Sequence, residues 1–91
     1  MCMVKKEIVI LNTSGLHARP AASLVKLASK FSSKIKLQKD GLEVSAKSMT
    51  GVMMLGAEKG SSVVIVADGE DENEALEGIC SFIENKLDEK E

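Results

Sequence analysis

Ninety-one residues suit one domain, 1–91, and a chain this short buries only about 60–65% of its unfolded surface, so any functional site must lie at or near the surface. A hydrophobic share of 44% with 29% charged residues and one proline excludes a disordered chain. A net charge of −2 and only two aromatics, Phe31 and Phe82, speak against direct nucleic-acid binding.

Lys5 and Lys6 precede an apolar run of only Ile8 to Leu11, too short for a signal peptide or a membrane span, so a cytoplasmic protein without membrane insertion is expected. Glu7–Leu11 is β-branched and compact, which predicts a strand, and Asn12-Thr13-Ser14-Gly15 breaks it with four turn formers. Between Ala18 and Phe31 the apolar positions Ala21, Leu24, Val25, Ala28 and Phe31 recur at spacings of three and four, the pattern of an amphipathic helix. Lys34–Lys39 and Leu42–Ala46 flank Asp40-Gly41, a two-residue hairpin signal. That loop sets Leu37 opposite Val44, Gln38 opposite Glu43 and Ile35 opposite Ala46, leaving one sheet face dry and the other wet.

Ser48–Leu55 reads as a short helix with Ser48 as its N-cap, and Gly56 and Gly60 bracket its exit. Ser62–Ala67 is a further strand. The last helix begins in the acidic turn Glu70-Asp71-Glu72 and carries the stripe Leu76, Ile79, Cys80, Ile83 and Leu87. Gly78 inside that helix costs about 1 kcal/mol relative to alanine, with no reason visible in the sequence. Cys2 and Cys80 form no disulfide framework. The order β-α-β-β-α-β-α predicts a two-layer α+β domain.

His17, the chain's single histidine, stands between a turn and a helix. With His17 as N-cap, Ala18, Arg19 and Pro20 are the first helical positions. The amides of Ala18 and Arg19 then have no intrahelical partner, and Pro20 has no amide to leave unsatisfied. Such a helix start favours an anion; Arg19 adds a fork that fits phosphate oxygens, and Ser14 offers a hydroxyl. The positive helix end also biases His17 toward the neutral, nucleophilic imidazole. A plain capping or loop histidine fits the same residues, and so does a non-carrier module that binds an anionic ligand. A metal site lacks a second histidine or spaced cysteines, and a Ser–His hydrolase would need an orienting acid and a pocket that a chain of this size rarely provides. Chemistry alone stops at an anion at a helix start.

Gly15-Leu16-His17-Ala18-Arg19-Pro20-Ala21-Ala22 resembles the active-site signature of HPr, the histidine-containing phosphocarrier family of the bacterial sugar phosphotransferase system. Lys47-Ser48-Met49-Thr50-Gly51-Val52-Met53-Met54-Leu55-Gly56 resembles that family's regulatory serine segment, and the similarity runs along essentially the whole chain. The resemblance implies a four-stranded antiparallel sheet of order 1-4-2-3 with three helices on one face. It implies that enzyme I phosphorylates His17, with Arg19 and the amides of Ala18 and Arg19 steadying the phosphate. The phosphoryl group then passes to the A component of a sugar-specific enzyme II. The chain is thus expected to be a carrier rather than a turnover enzyme, without metal or cofactor, and a monomer.

In the Gram-positive type of the family, Ser48 would be phosphorylated by an ATP-dependent HPr kinase/phosphorylase, and the product would serve a catabolite-control transcription factor. Partner docking is expected at Ala22, Lys26, Lys30, Lys47, Met49 and Met53. By residue type alone, Met49 and Met53 read rather as residues that finish the core. Thr50 and Met54 depart from the family's usual pattern, which offers larger apolar residues and serine there. The neighbouring readings are a regulatory paralogue or the carrier of a nitrogen-related branch.

Overall fold

The computed structural model describes residues 3–10, 18–56, 58 and 60–85, with no side-chain description for 18–20 and 85. Strands β1 (Val4–Val9), β2 (Lys34–Lys39), β3 (Leu42–Ser45) and β4 (Ser62–Asp68) form one antiparallel sheet of order β1-β4-β2-β3. Helices α1 (Ala18–Ala28), α2 (Met49–Leu55) and α3 (Glu72–Asn85) complete the order. The fold is the expected two-layer α+β arrangement.

β1 starts earlier than its apolar run, at Val4 rather than Glu7, because pairing with β4 reaches from Val4 opposite Ala67 to Val9 opposite Ser62. Ladder hydrogen bonds, rather than side-chain polarity, fix where an edge strand begins, so lysines at positions 5 and 6 do not end it. The β2–β3 hairpin keeps the derived register, with Leu37 opposite Val44 and Gln38 opposite Glu43. Asp40 and Gly41 have φ of 52° and 85°, the two positive values that a two-residue hairpin turn demands. β3 ends at Ser45, one residue short of the expected span, yet the Ala46 amide still donates to the Ile35 carbonyl at 2.8 Å.

One sheet face supplies Ile8, Ile35, Leu37, Val63, Ile65 and Ala67 to the core, and the helices add Ala21, Leu24, Ala28, Val52, Leu55, Ala75, Ile79, Cys80 and Ile83. α3 lies over β1 and β4, α2 lies against β2 and β3, and α1 packs on both α2 and α3. Burying such side chains stabilises the domain by about 1.5–3 kcal/mol for each large aliphatic residue. Cys80 belongs to this core, and burial pushes its thiol pKa up, so it is a packing residue with an inert thiol. Cys2 and Leu87 lie outside the described residues.

α1 ends at Ala28 rather than Phe31; the amides of Lys30 and Phe31 bond the carbonyls of Leu27 and Ala28, a tightened last turn. Phe31 nevertheless packs against the core, and Gly78 explains how. A Cβ on Gly78 would stand 3.1 Å from Phe31 Cζ, so the glycine makes room for the ring edge. Asp71, just before α3, reaches across to β2. Its carboxylate accepts from the amides of Ser32 at 3.0 Å and Ser33 at 2.9 Å, and from the Ser33 hydroxyl. These bonds, the Ser33 hydroxyl foremost, lower the Asp71 pKa from 3.8 to about 2.

Candidate functional site

α1 begins at Ala18, so Ala18, Arg19 and Pro20 occupy its first three positions. A helix leaves its first amides without intrahelical partners, and proline at the third residue ends that exposed set without loss. His17 and Ser14, the proposed nucleophile and its neighbour, lie outside the described residues, as does the Arg19 side chain. Farther along α1 and in the turn after it, Ala22, Lys26 and Lys30 are exposed while Ala21, Leu24 and Ala28 are fully buried. The helix thus turns a polar face outward over the length that follows His17.

Ser48 caps α2. Its backbone is extended, with φ −111° and ψ 114°, and its Oγ accepts from the Gly51 amide at 3.1 Å. The side of Gly51 is tight, since a Cβ there would meet Val44 Cβ at 3.1 Å and Ser48 Oγ at 3.3 Å. Gly56 closes the helix in the left-handed conformation, φ 63°. Val52 and Leu55 point into the core, whereas Met49 and Met53 are 36% and 44% exposed. Met54 is more exposed still, at 66%. Its place on the wheel opposite Val52 and Leu55 carries that signal in the sequence, because those two residues define the inner side.

Lys47 behaves differently from the other candidate docking residues. Its ammonium donates to the Phe31 carbonyl at 2.7 Å and so ties the segment before α2 to the end of α1. The structure therefore brings α1 and α2 side by side, with Ala22, Lys26 and the following Lys30 at one and the cap Ser48, Met49 and Met53 at the other. Among the described residues no cluster of three His, Cys, Asp or Glu side chains could hold a metal, and no helix is long and apolar enough to cross a membrane.

The sequence profile of the family described as "PTS HPr component phosphorylation site" matches residues 4–85. The chain belongs to the HPr family. It is 44% identical over 89 residues to phosphocarrier protein HPr of Cupriavidus necator, covering 98% of this chain and 100% of that protein. A crystal structure of HPr-C-His from Thermoanaerobacter tengcongensis matches with TM-score 0.90 and 46% identity, over 97% of this chain and 99% of the other. The crystal structure of Crh, the Bacillus subtilis catabolite-repression protein described as a swapped dimer, matches with TM-score 0.73 and 42% identity, over 89% and 93% of the two chains. HPr-family membership carries with it the role of phosphocarrier component of the phosphotransferase system.

Proposed function

We propose that His17 accepts a phosphoryl group from phospho-enzyme I and passes it to the A component of a sugar-specific enzyme II. The observation that carries this reading is the start of α1 at Ala18, directly after His17, within a chain of the HPr family. A phosphate on His17 stands where the amides of Ala18 and Arg19 and the helix dipole favour negative charge. Arg19 supplies the permanent cation, and Ser14 a hydroxyl. The chain itself turns over no substrate; it holds the phosphoryl group between two partner enzymes, needs no cofactor, and works as a monomer in the cytoplasm.

Docking uses the outward side of α1 and the turn after it, with Ala22, Lys26 and Lys30, beside Met49 and Met53 of α2. Thioether side chains adapt to several partners, and ammonium groups attract acidic ones. Lys47 joins that surface only by releasing the Phe31 carbonyl. Ser48 is the site for an ATP-dependent HPr kinase/phosphorylase, and its phosphorylated form serves a catabolite-control transcription factor. Similarity to Crh favours a second reading, a regulatory paralogue that works through Ser48 and forms dimers. The presence of His17 favours the carrier.

Labelling with phosphoenolpyruvate and enzyme I tests the assignment. The expected product is one acid-labile, base-stable phosphate per chain, absent in His17→Ala. A label that survives acid, or survives that substitution, removes His17 from the role.

A further inference from the structure

Lys26 and Lys30, already part of the α1–α2 surface, also border a cleft between α1 and α3. It has a volume of about 460 Å³ and is lined by Ser23, Lys26 and Leu27 from α1, by Lys30 just after it, and by Gly78, Ser81 and Phe82 from α3. We propose that this cleft binds a small organic anion with an apolar group, of the class of aryl or short acyl phosphates and carboxylates.

Three observations carry the proposal. The volume lies within the range of small-molecule sites, about 300–1,000 Å³. The charges in the lining are all of one sign: two lysines four residues apart and no carboxylate. α3 is rich in acid, yet Glu74, Glu77 and Glu84 do not line the cleft, and neither lysine has an ion-pair partner among the described residues. Lys26 on α1 and Lys30, two residues past its end, both border the cleft, so one bound anion can meet both ammonium groups.

The apolar requirement comes from the floor. Leu27 and Phe82 are half-buried hydrophobic residues packed against the core, and they present their remaining surface to the cleft. Gly78 borders the cleft as well, and the place its Cβ would take is met by the Phe31 ring edge. An anionic head over Lys26 and Lys30 with a ring or short chain over Leu27 and Phe82 satisfies both halves. A bare inorganic anion uses only one.

The test is an amide NMR titration of the full chain with phenyl phosphate at low salt, which reads binding without phosphoryl transfer and so stands apart from the carrier assignment. The expected result is saturable shifts at Ser23, Lys26, Leu27 and Lys30 together with Gly78 and Phe82. Affinity should fall at least tenfold in the Lys26→Gln/Lys30→Gln variant, with its amide dispersion retained. Inorganic phosphate and phenol should each bind at least tenfold more weakly than phenyl phosphate. Shifts confined to residues 18–22, equal binding of inorganic phosphate, or insensitivity to the double substitution would overturn the proposal. Tighter binding of hexaglutamate at the same amides would overturn it in favour of an acidic peptide segment.

Discussion

The starts of α2 and α3 both carry an oxygen acceptor that captures backbone amides, yet they hold the fold in different ways. Ser48 accepts from Gly51, three residues ahead in its own helix. Asp71 accepts from Ser32 and Ser33, 39 and 38 residues away, and thereby fastens the start of α3 to the entry of β2. The first is a local cap whose loss is confined to one short helix. The second joins two elements that are distant in sequence, so its loss loosens the packing of the domain. A half-exposed local cap is the place where a protein tolerates chemical change; a clamp between elements is not.

The largest expected effect lies beside the clamp. A Cβ on Gly69 would stand 2.7 Å from Ser33 Cα and 2.6 Å from Ser33 Oγ, and the Ser33 backbone cannot move without disturbing the Asp71 bonds. Gly69→Ala should therefore destabilise the domain by about 2–3 kcal/mol, measured by urea unfolding. A change below the effect of removing the Ser48 cap would show that the junction yields easily.

Asp71→Asn should lower Tm by less than Gly69→Ala, and its mark is in the pH dependence. The carboxyl pKa falls on folding, from 3.8 to about 2, so its stabilisation is fully present above about pH 4 and fades as pH drops through 2. Wild type should lose stability across that window, and Asp71→Asn should lose less. Circular-dichroism unfolding at several pH values between 2 and 5 makes the comparison, and identical slopes would remove the clamp from the acid response.

Ser48 substitutions should have the smallest effect on stability. Ser48→Ala should cost about 1 kcal/mol, the worth of one N-cap. Ser48→Asp keeps an acceptor and places a negative charge at a helix start, so its Tm should stay within a few degrees of wild type. Its effect should fall on transfer from enzyme I, chiefly as weaker docking, because the charge stands beside exposed Met49 and Met53. Initial transfer rates against carrier concentration, beside melts, separate the two. Equal transfer curves would leave Ser48 as a cap alone.

Much of this molecule follows from neighbours in the chain. Asp40-Gly41 dictates the hairpin register because two positive φ values in a two-residue loop leave one way for the strands to meet. Ser48 before an apolar three-and-four spacing dictates the cap and the inner side of α2, with Val52 and Leu55 buried. The two motifs around His17 and Ser48 point to the family, although His17 itself lies outside the described residues. Spacing and local hydrogen bonds act within a few residues, so a sequence displays them directly.

Other features depend on what the fold brings together. Gly78 has no local purpose in α3 and is explained by Phe31, 47 positions earlier, whose ring edge needs the space. An acidic turn at 70–72 announces a helix start, but only the placement of β2 beside β4 puts the Ser32 and Ser33 amides within reach of Asp71. Lys47 resembles a solvent-facing docking cation until α1 and α2 pack together and offer it the Phe31 carbonyl. In each case the side chain is matched to a partner that only the packing of distant elements supplies, and no periodicity along the chain encodes that distance.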